Sequence, residues 1–132
     1  MAAELAMAVP ALLLVLSLLV AGGRLWFART TVVEAAHTAA RAASLARSGG
    51  DASAAGRDAG EQSLATAGLR CASRSVSTDT AAFSVPVGTP ATISSVVRCQ
   101  VFLSDLVLPI IPGSVDLAAE GTSALDTYRT RS

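Results

Sequence analysis

An uncharged apolar run near the start of the chain constrains the fold more than any other feature. Residues 5–23 contain no Asp, Glu, Lys, Arg or His, and Leu, Ala and Val dominate them. As a helix rising about 1.5 Å per residue, the run measures about 30 Å, the thickness of a bilayer's hydrocarbon core. Glu4 closes one end, Arg24 closes the other, and Trp26 follows at the interfacial depth that Trp favours. The run predicts a membrane-spanning helix.

A cleaved secretory signal or a buried core helix fits the run less well. A cleaved signal needs a basic segment before the apolar one and a cleavage site of small residues. The chain starts Met-Ala-Ala-Glu, which carries the opposite charge, and helical patterning continues beyond the run without a break. A buried core helix of a soluble protein would need more covering chain than 132 residues leave. We therefore expect a single-pass anchor, with a cleaved signal as the alternative.

The helix is expected to continue outside the bilayer to about residue 47, because no Gly or Pro interrupts residues 24–47. Small apolar residues recur there at spacings of three and four, which places them on one face and lets another backbone approach closely. The helix propensity of Ala is a simpler reason for the same pattern. The predicted packing face consists of Val32, Ala36, Ala39, Ala43 and Ala46.

The rest of the chain changes from helical to strand-forming composition. Residues 48–51 should end the long helix, with Asp51 as the N-cap of a short, weaker helix over 52–67. Val, Thr and Ser then dominate, and three strands are expected at 70–78, 91–103 and 114–125, with a proline-containing apolar loop at 106–113. A three-stranded antiparallel sheet needs a cover, and the Ala-rich helix can provide it.

We therefore expect an α+β chain in which a small antiparallel sheet packs on a long helix that begins in the membrane. The expected regions are the membrane-spanning and extended helix 1–47, the linker and short helix 48–68, the β region 69–127, and a polar tail 128–132.

The two cysteines, Cys71 and Cys99, are expected on the first two strands, and we expect a disulfide between them. The bond would stabilise the sheet by about 3–4 kcal/mol through loop closure. Two free thiols in a cytoplasmic domain are the alternative. Arg24 and Arg29 after the run favour a cytoplasmic C-terminal part, whereas a disulfide favours an oxidising compartment. We expect the C-terminal region to lie outside the cytoplasmic membrane.

The composition argues against catalysis and against nucleic-acid binding. Ten basic and ten acidic residues leave no basic excess for a phosphate backbone. His37 is the single histidine, lies on the predicted helix close after Glu34, and belongs to no catalytic motif. One His and two Cys do not suffice for a zinc site, and the carboxylates are scattered singly. We expect no enzyme activity, no metal or other cofactor and no small-molecule substrate.

Glu4 and Pro10 stand out at the start of the apolar run. A carboxylate at the edge of a membrane span is costly unless it has a partner, although an ordinary interfacial charge accounts for Glu4 equally well. Pro10 lies inside the run, where it removes a backbone hydrogen bond and is expected to kink the helix.

Together these residues resemble a known family. Glu4-Leu-Ala-Met-Ala-Val-Pro10, followed by a Leu-rich run, resembles the start of TadE-like proteins, which are pseudopilin-like components of tight-adherence (Flp, type IVc) pilus systems. Trp26-Phe-Ala-Arg29 and the Ala-rich segment from Glu34 to Arg41 are similar to that family as well. The resemblance covers the first 47 residues closely and the strand region loosely.

The resemblance implies a structural role in pilus assembly or secretion. It implies that Glu4 pairs with the N-terminal amine of a neighbouring subunit, which would offset the cost of burying a carboxylate. It implies peptidase processing after a Gly that leaves Glu at the fifth mature position. No Gly precedes Glu4, so we expect the natural start to lie upstream of Met1, or a leader to have been removed.

The expected partners are the lipid bilayer, other pilus or secretion subunits and a second copy of the chain, with incorporation into a surface pilus. A membrane-anchored extracytoplasmic binding module unrelated to pili is the alternative function.

Overall fold

The computed structural model describes residues 1–106 and 112–126 and confirms the α+β architecture expected from the sequence. Residues 107–111 of the expected apolar loop and the expected polar tail 128–132 lie outside this range. A short 3₁₀ turn, Ala81–Ser84, follows the first strand, and one helical turn, Leu103–Leu106, follows the second. The main elements are helices α1 (Ala2–Ser44) and α2 (Gly49–Thr66) and strands β1 (Ser73–Asp79), β2 (Ala91–Phe102) and β3 (Ser114–Leu125).

The three strands form an antiparallel sheet in the order β1-β2-β3, so β2 lies at the centre. Val97 of β2 pairs with Val76 of β1 on one side and with Ala119 of β3 on the other. Because side chains alternate between the two faces of a strand, one face of β2 is buried and the other is not. The buried face carries Ile93, Ser95, Val97, Cys99 and Val101.

The second half of α1 and the whole of α2 cover this buried face, which is the cover that three strands need. Val32 of α1, Leu64 of α2 and Val101 of β2 belong to one buried cluster. A second cluster gathers Phe83 and Leu125 at the other end of the sheet. α1 contacts both α2 and β3, so it lies at the centre of the folded part.

The junction between α1 and α2 differs from the sequence expectation. α1 ends at Ser44, before residue 47, and the Ser44 hydroxyl donates to the Arg41 carbonyl oxygen at 2.7 Å. The prediction that Asp51 is the N-cap of the second helix is wrong, because Ser48 is the N-cap. The Ser48 Oγ accepts the Asp51 backbone N–H at 3.2 Å, which lets α2 begin at Gly49. The Asp51 carboxylate instead lies in the first turn, where the helix dipole favours it.

The end of α2 has the Schellman geometry. Gly68 adopts φ +76°, its N–H donates to Ala65, and the Leu69 N–H donates to Leu64 at 3.2 Å. Leu64 and Leu69 both pack in the first buried cluster, which is the apolar contact that accompanies this cap. The cap therefore fixes the direction of the chain as it leaves α2 towards β1.

Candidate functional site

The first half of α1 projects from the folded part as an exposed apolar helix. Residues 1–20 are all exposed, and the first fully buried residue of the helix is Ala28. Within the part of the chain that the structure describes, α1 is the one helix long and apolar enough to span a membrane. Its most apolar 18-residue window has no buried residue. Length and composition therefore fit a membrane anchor.

Apolar side chains surround the axis of this exposed segment. Leu12, Leu13 and Leu14 are consecutive and point in different directions around the helix, and each is more than half exposed. A helix that is apolar on all sides requires apolar surroundings on all sides. No described residue of the folded part buries residues 1–20, which fits a membrane anchor.

Glu4 and Pro10 both lie on this projecting segment. Glu4 occupies the first turn of α1, where the partial positive charge of the helix N-terminus favours a carboxylate. Since residues 1–20 are all exposed, no part of the chain that the structure describes covers Glu4. Pro10 lies inside α1, and the helix continues through it from Ala2 to Ser44.

The change from exposed to buried helix occurs over a few residues. Trp26 is 70% exposed and Phe27 is 52% exposed, whereas Ala28 is fully buried. The hydroxyls of Thr30 and Thr31 donate to the carbonyl oxygens of Trp26 and Phe27 at 2.8 and 2.9 Å. Aromatic side chains thus lie at the point where the helix leaves the folded part, one turn beyond the apolar run.

The Ala-rich half of α1 lies between the sheet and α2. Val32, Ala36, Ala39 and Ala43 of the proposed packing face are buried, and Ala46 lies beyond the end of α1 and packs, half-buried, against the second cluster. The buried surface is wider than the predicted stripe, because the helix is covered on two sides rather than one. The buried residues that the predicted stripe omits include Ala28, Ala35 and Ala40.

Three glycines, none of them expected from the sequence to do so, allow the backbones around α1 to approach closely. A Cβ on Gly121 of β3 would lie 2.5 Å from the carbonyl oxygen of Ala36. A Cβ on Gly56 would lie 2.5 Å from the Thr78 hydroxyl, and one on Gly60 would lie 3.0 Å from Val76. The sequence signal for Gly121 is its position inside a strand pattern, which often marks a close approach of another backbone.

The disulfide ties the segment after α2 to the centre of the sheet. The Cys71 and Cys99 sulfurs are bonded, and their Cα atoms are 5.3 Å apart. Cys99 is buried on β2, whereas Cys71 precedes β1 rather than lying on it. The expectation that Cys71 is a strand residue is therefore wrong. The disulfide holds this segment, and the Ala72 N–H donates to the Gln100 carbonyl oxygen at 2.7 Å beside it.

The described residues hold no cluster of three or more His, Cys, Asp or Glu side chains that could bind a metal ion. His37 is exposed on α1, and Glu34 is exposed one turn before it. An open groove crosses the solvent face of the sheet, between Ser75, Arg98 and Asp116. A second cleft lies where α1 leaves the folded part, beside Arg24 and Arg70.

The comparison with known proteins gives a family match that lies within α1. The family model of TadE-like proteins matches residues 1–41. The match covers the exposed apolar segment and most of the packed half of α1, and it ends before α2 and the sheet. Searches of curated proteins and of solved structures returned no match. Residues 1–41 of this chain are therefore similar to TadE-like proteins, as the Glu4-to-Pro10 pattern predicts.

Proposed function

We propose that the chain is a membrane-anchored, pseudopilin-like structural component of tight-adherence (Flp, type IVc) pilus assembly or secretion. One observation carries the proposal. The TadE-like match falls on a single helix whose first half is apolar and exposed and whose second half is built into a folded α+β part. TadE-like proteins are associated with tight-adherence pilus systems, and a structural subunit needs an anchor joined to a rigid body.

The apolar surface of the projecting helix can contact lipid before assembly and the helices of other subunits afterwards. Before assembly, lipid surrounds it, because a helix that is apolar on every side is stable in a bilayer. In an assembly, the same surface contacts the helices of other subunits. The long uninterrupted path from Ala2 to Ser44 makes the exposed segment continuous with the core of the folded part.

In this proposal Glu4 is the residue that distinguishes assembly from simple anchoring. It lies in the first turn of α1, and no residue that the structure describes covers it. A carboxylate in a membrane span costs up to about 3 kcal/mol at the bilayer centre on insertion scales, and less at the edge of the span, where Glu4 lies. An ammonium group of a neighbouring subunit would offset that cost and would fix the register in which the two helices dock.

We place the folded part outside the cytoplasm. The Cys71–Cys99 bond joins a half-buried to a fully buried residue, and its formation requires an oxidising compartment. Arg24 and Arg29, which follow the apolar run, favour the opposite orientation through the positive-inside rule. We give the disulfide more weight, because disulfides are rare in cytoplasmic proteins, whereas two arginines bias the orientation without fixing it.

Deletion of the gene in its own bacterium, with restoration by the wild-type gene, tests the proposal. We expect the deletion strain to lose pili and surface adherence and the restored strain to recover both. The partners are then the other subunits of the pilus or secretion system and a second copy of the chain. Normal adherence of the deletion strain would contradict the proposal and would favour a membrane-anchored binding module.

A further inference from the structure

A cleft at the base of the folded part brings together three distant segments of the chain. Residues from α1, from the segment after α2, and from the end of β2 with its following turn form its walls. The lining residues are Arg24, Phe27, Ala28, Gly68, Leu69, Arg70, Val101 and Asp105.

The position of the cleft along α1 is fixed by the sequence. Arg24 is the first residue after the apolar run 5–23, and Phe27 follows within one helical turn. At about 1.5 Å per residue, both lie within about 6 Å of the end of the run. The polar headgroup layer on each side of a bilayer is about 5–7 Å thick. If the run spans the hydrocarbon core, the cleft lies in the headgroup layer.

The chemistry of the cleft suits a phosphate attached to apolar chains. Arg24 and Arg70 are both exposed, and Asp105 is the single carboxylate among the described lining residues, which therefore carry a net positive charge. A guanidinium group binds phosphate oxygens through two parallel hydrogen bonds. The buried Ala28 and Val101 and the half-exposed Phe27 provide an apolar wall beside the two cations.

The fold holds Arg70 in place. Leu69 and Cys71, on either side of it, both pack against the main buried cluster, and Arg70 between them is exposed. The Schellman cap at Gly68 fixes the chain direction before Arg70, and the disulfide fixes it afterwards. Arg70 therefore reaches the same level as Arg24 although it is far away in sequence.

We propose that this cleft binds the phosphate of a membrane phospholipid headgroup, so that the folded part rests on the bilayer in a defined orientation. The inference rests on the membrane anchoring in the proposed function. It adds a second contact with the membrane, made by the folded part through Arg70, to the contact made by the apolar helix.

The test uses the purified full chain in detergent micelles, with phosphatidylglycerol and phosphatidylcholine added in equal amounts. Native mass spectrometry counts the lipids that each variant retains. We expect R70Q to retain about fivefold less phosphatidylglycerol than wild type, which corresponds to ~1 kcal/mol per basic residue at an anionic surface. The matched control is R57Q, which removes an exposed arginine from α2, outside the cleft, and should change nothing. An unchanged unfolding temperature shows that R70Q still folds.

Four outcomes would overturn the proposal, three with the variants and one with inorganic phosphate. The first is equal phosphatidylglycerol retention by R70Q and wild type, and the second is an equal loss in R57Q. The third is a dimer signal that falls in R70Q while lipid retention does not, which would assign the cleft to a second copy. An excess of inorganic phosphate should leave the retained lipid in place, and displacement by it would contradict a lipid site. Because these lipid measurements need no pilus, they still test the cleft if the adherence test of the proposed function fails.

Discussion

The backbone of Gly121 lies directly against the backbone of Ala36, where β3 crosses α1. A Cβ on Gly121 would lie 2.5 Å from both the Ala36 carbonyl oxygen and the His37 nitrogen, a distance that real Cβ atoms do not reach. Further along the crossing, the Ser123 hydroxyl donates to the Ser44 Oγ at 3.1 Å. The helix that carries the TadE-like segment is therefore joined to the sheet by backbone contact.

We expect Gly121→Ala to lower the free energy of unfolding by about 3 kcal/mol, the upper part of the range for overpacking, because backbone rather than a flexible side chain blocks the methyl group. Gly50→Ala is the matched control. A Cβ on Gly50 meets nothing within 4 Å, so this change in α2 should stabilise the protein by up to about 1 kcal/mol. Denaturant unfolding of the full chain in micelles, followed by circular dichroism, measures both. Equal effects of the two changes would contradict the close approach.

Gly56 and Thr78 should be energetically coupled. A Cβ on Gly56 would lie 2.5 Å from the Thr78 hydroxyl, which forms a 2.9 Å hydrogen bond with the buried Ser95. Gly56→Ala should cost about 1–3 kcal/mol through overpacking. Thr78→Ala should cost a similar amount, because the Ser95 hydroxyl loses its partner. The double variant should cost at least about 0.5 kcal/mol less than the sum, since Thr78→Ala removes the atom that clashes. Strict additivity in a double-mutant cycle would contradict this contact.

The two cysteines should differ in their sensitivity to substitution. Replacing either residue removes the bond and should cost about 2–5 kcal/mol. Cys99→Ser should cost about 1 kcal/mol more than Cys71→Ser, because position 99 is 1% exposed and the new hydroxyl would be buried in an apolar cluster. Unfolding of the oxidised wild type and of both variants measures the difference. Alkylation of both thiols in protein isolated without reductant would contradict the bond itself.

The sequence predicts the fold best where burial alternates regularly. β3 begins and ends at the expected residues, because Leu117, Gly121 and Leu125 face the core at even spacing. The start of α2 is not predictable from residue type, because Ser48 and Asp51 are both good caps and hydrogen bonding decides between them. The start of β1 differs from the prediction because the disulfide, and not the strand ladder, holds Cys71.

Some features of the candidate site are predictable from the sequence, and others are not. The apolar run and Glu4 are evident from composition and charge along the chain. The cleft at Arg24 is not evident from the sequence, because Arg70 and Asp105 reach it only through the turn after α2 and the end of β2. The approach of Gly121 to Ala36 likewise depends on how the helix crosses the sheet, which no local pattern in the sequence specifies.

A reporter fusion measures the orientation of the folded part. We expect an enzyme that is active only after export, fused after Ser132, to be active, because the disulfide requires an oxidising compartment. The control is a reporter that is active only in the cytoplasm, fused at the same residue, which should be inactive. The reverse pattern would contradict the orientation, and it would favour the positive-inside effect of Arg24 and Arg29.

The adherence of a Glu4→Ala strain tests the pseudopilin-like role most directly. The matched control is Glu34→Ala, which removes an exposed carboxylate from the same helix beyond the apolar run. Both proteins should accumulate in the membrane fraction at the wild-type level, because neither change reduces the apolar run. Glu4→Ala should abolish pilus yield and adherence, since the neighbouring subunit loses the partner of its ammonium, whereas Glu34→Ala should preserve both. Wild-type adherence of the Glu4→Ala strain would contradict the pseudopilin-like mechanism.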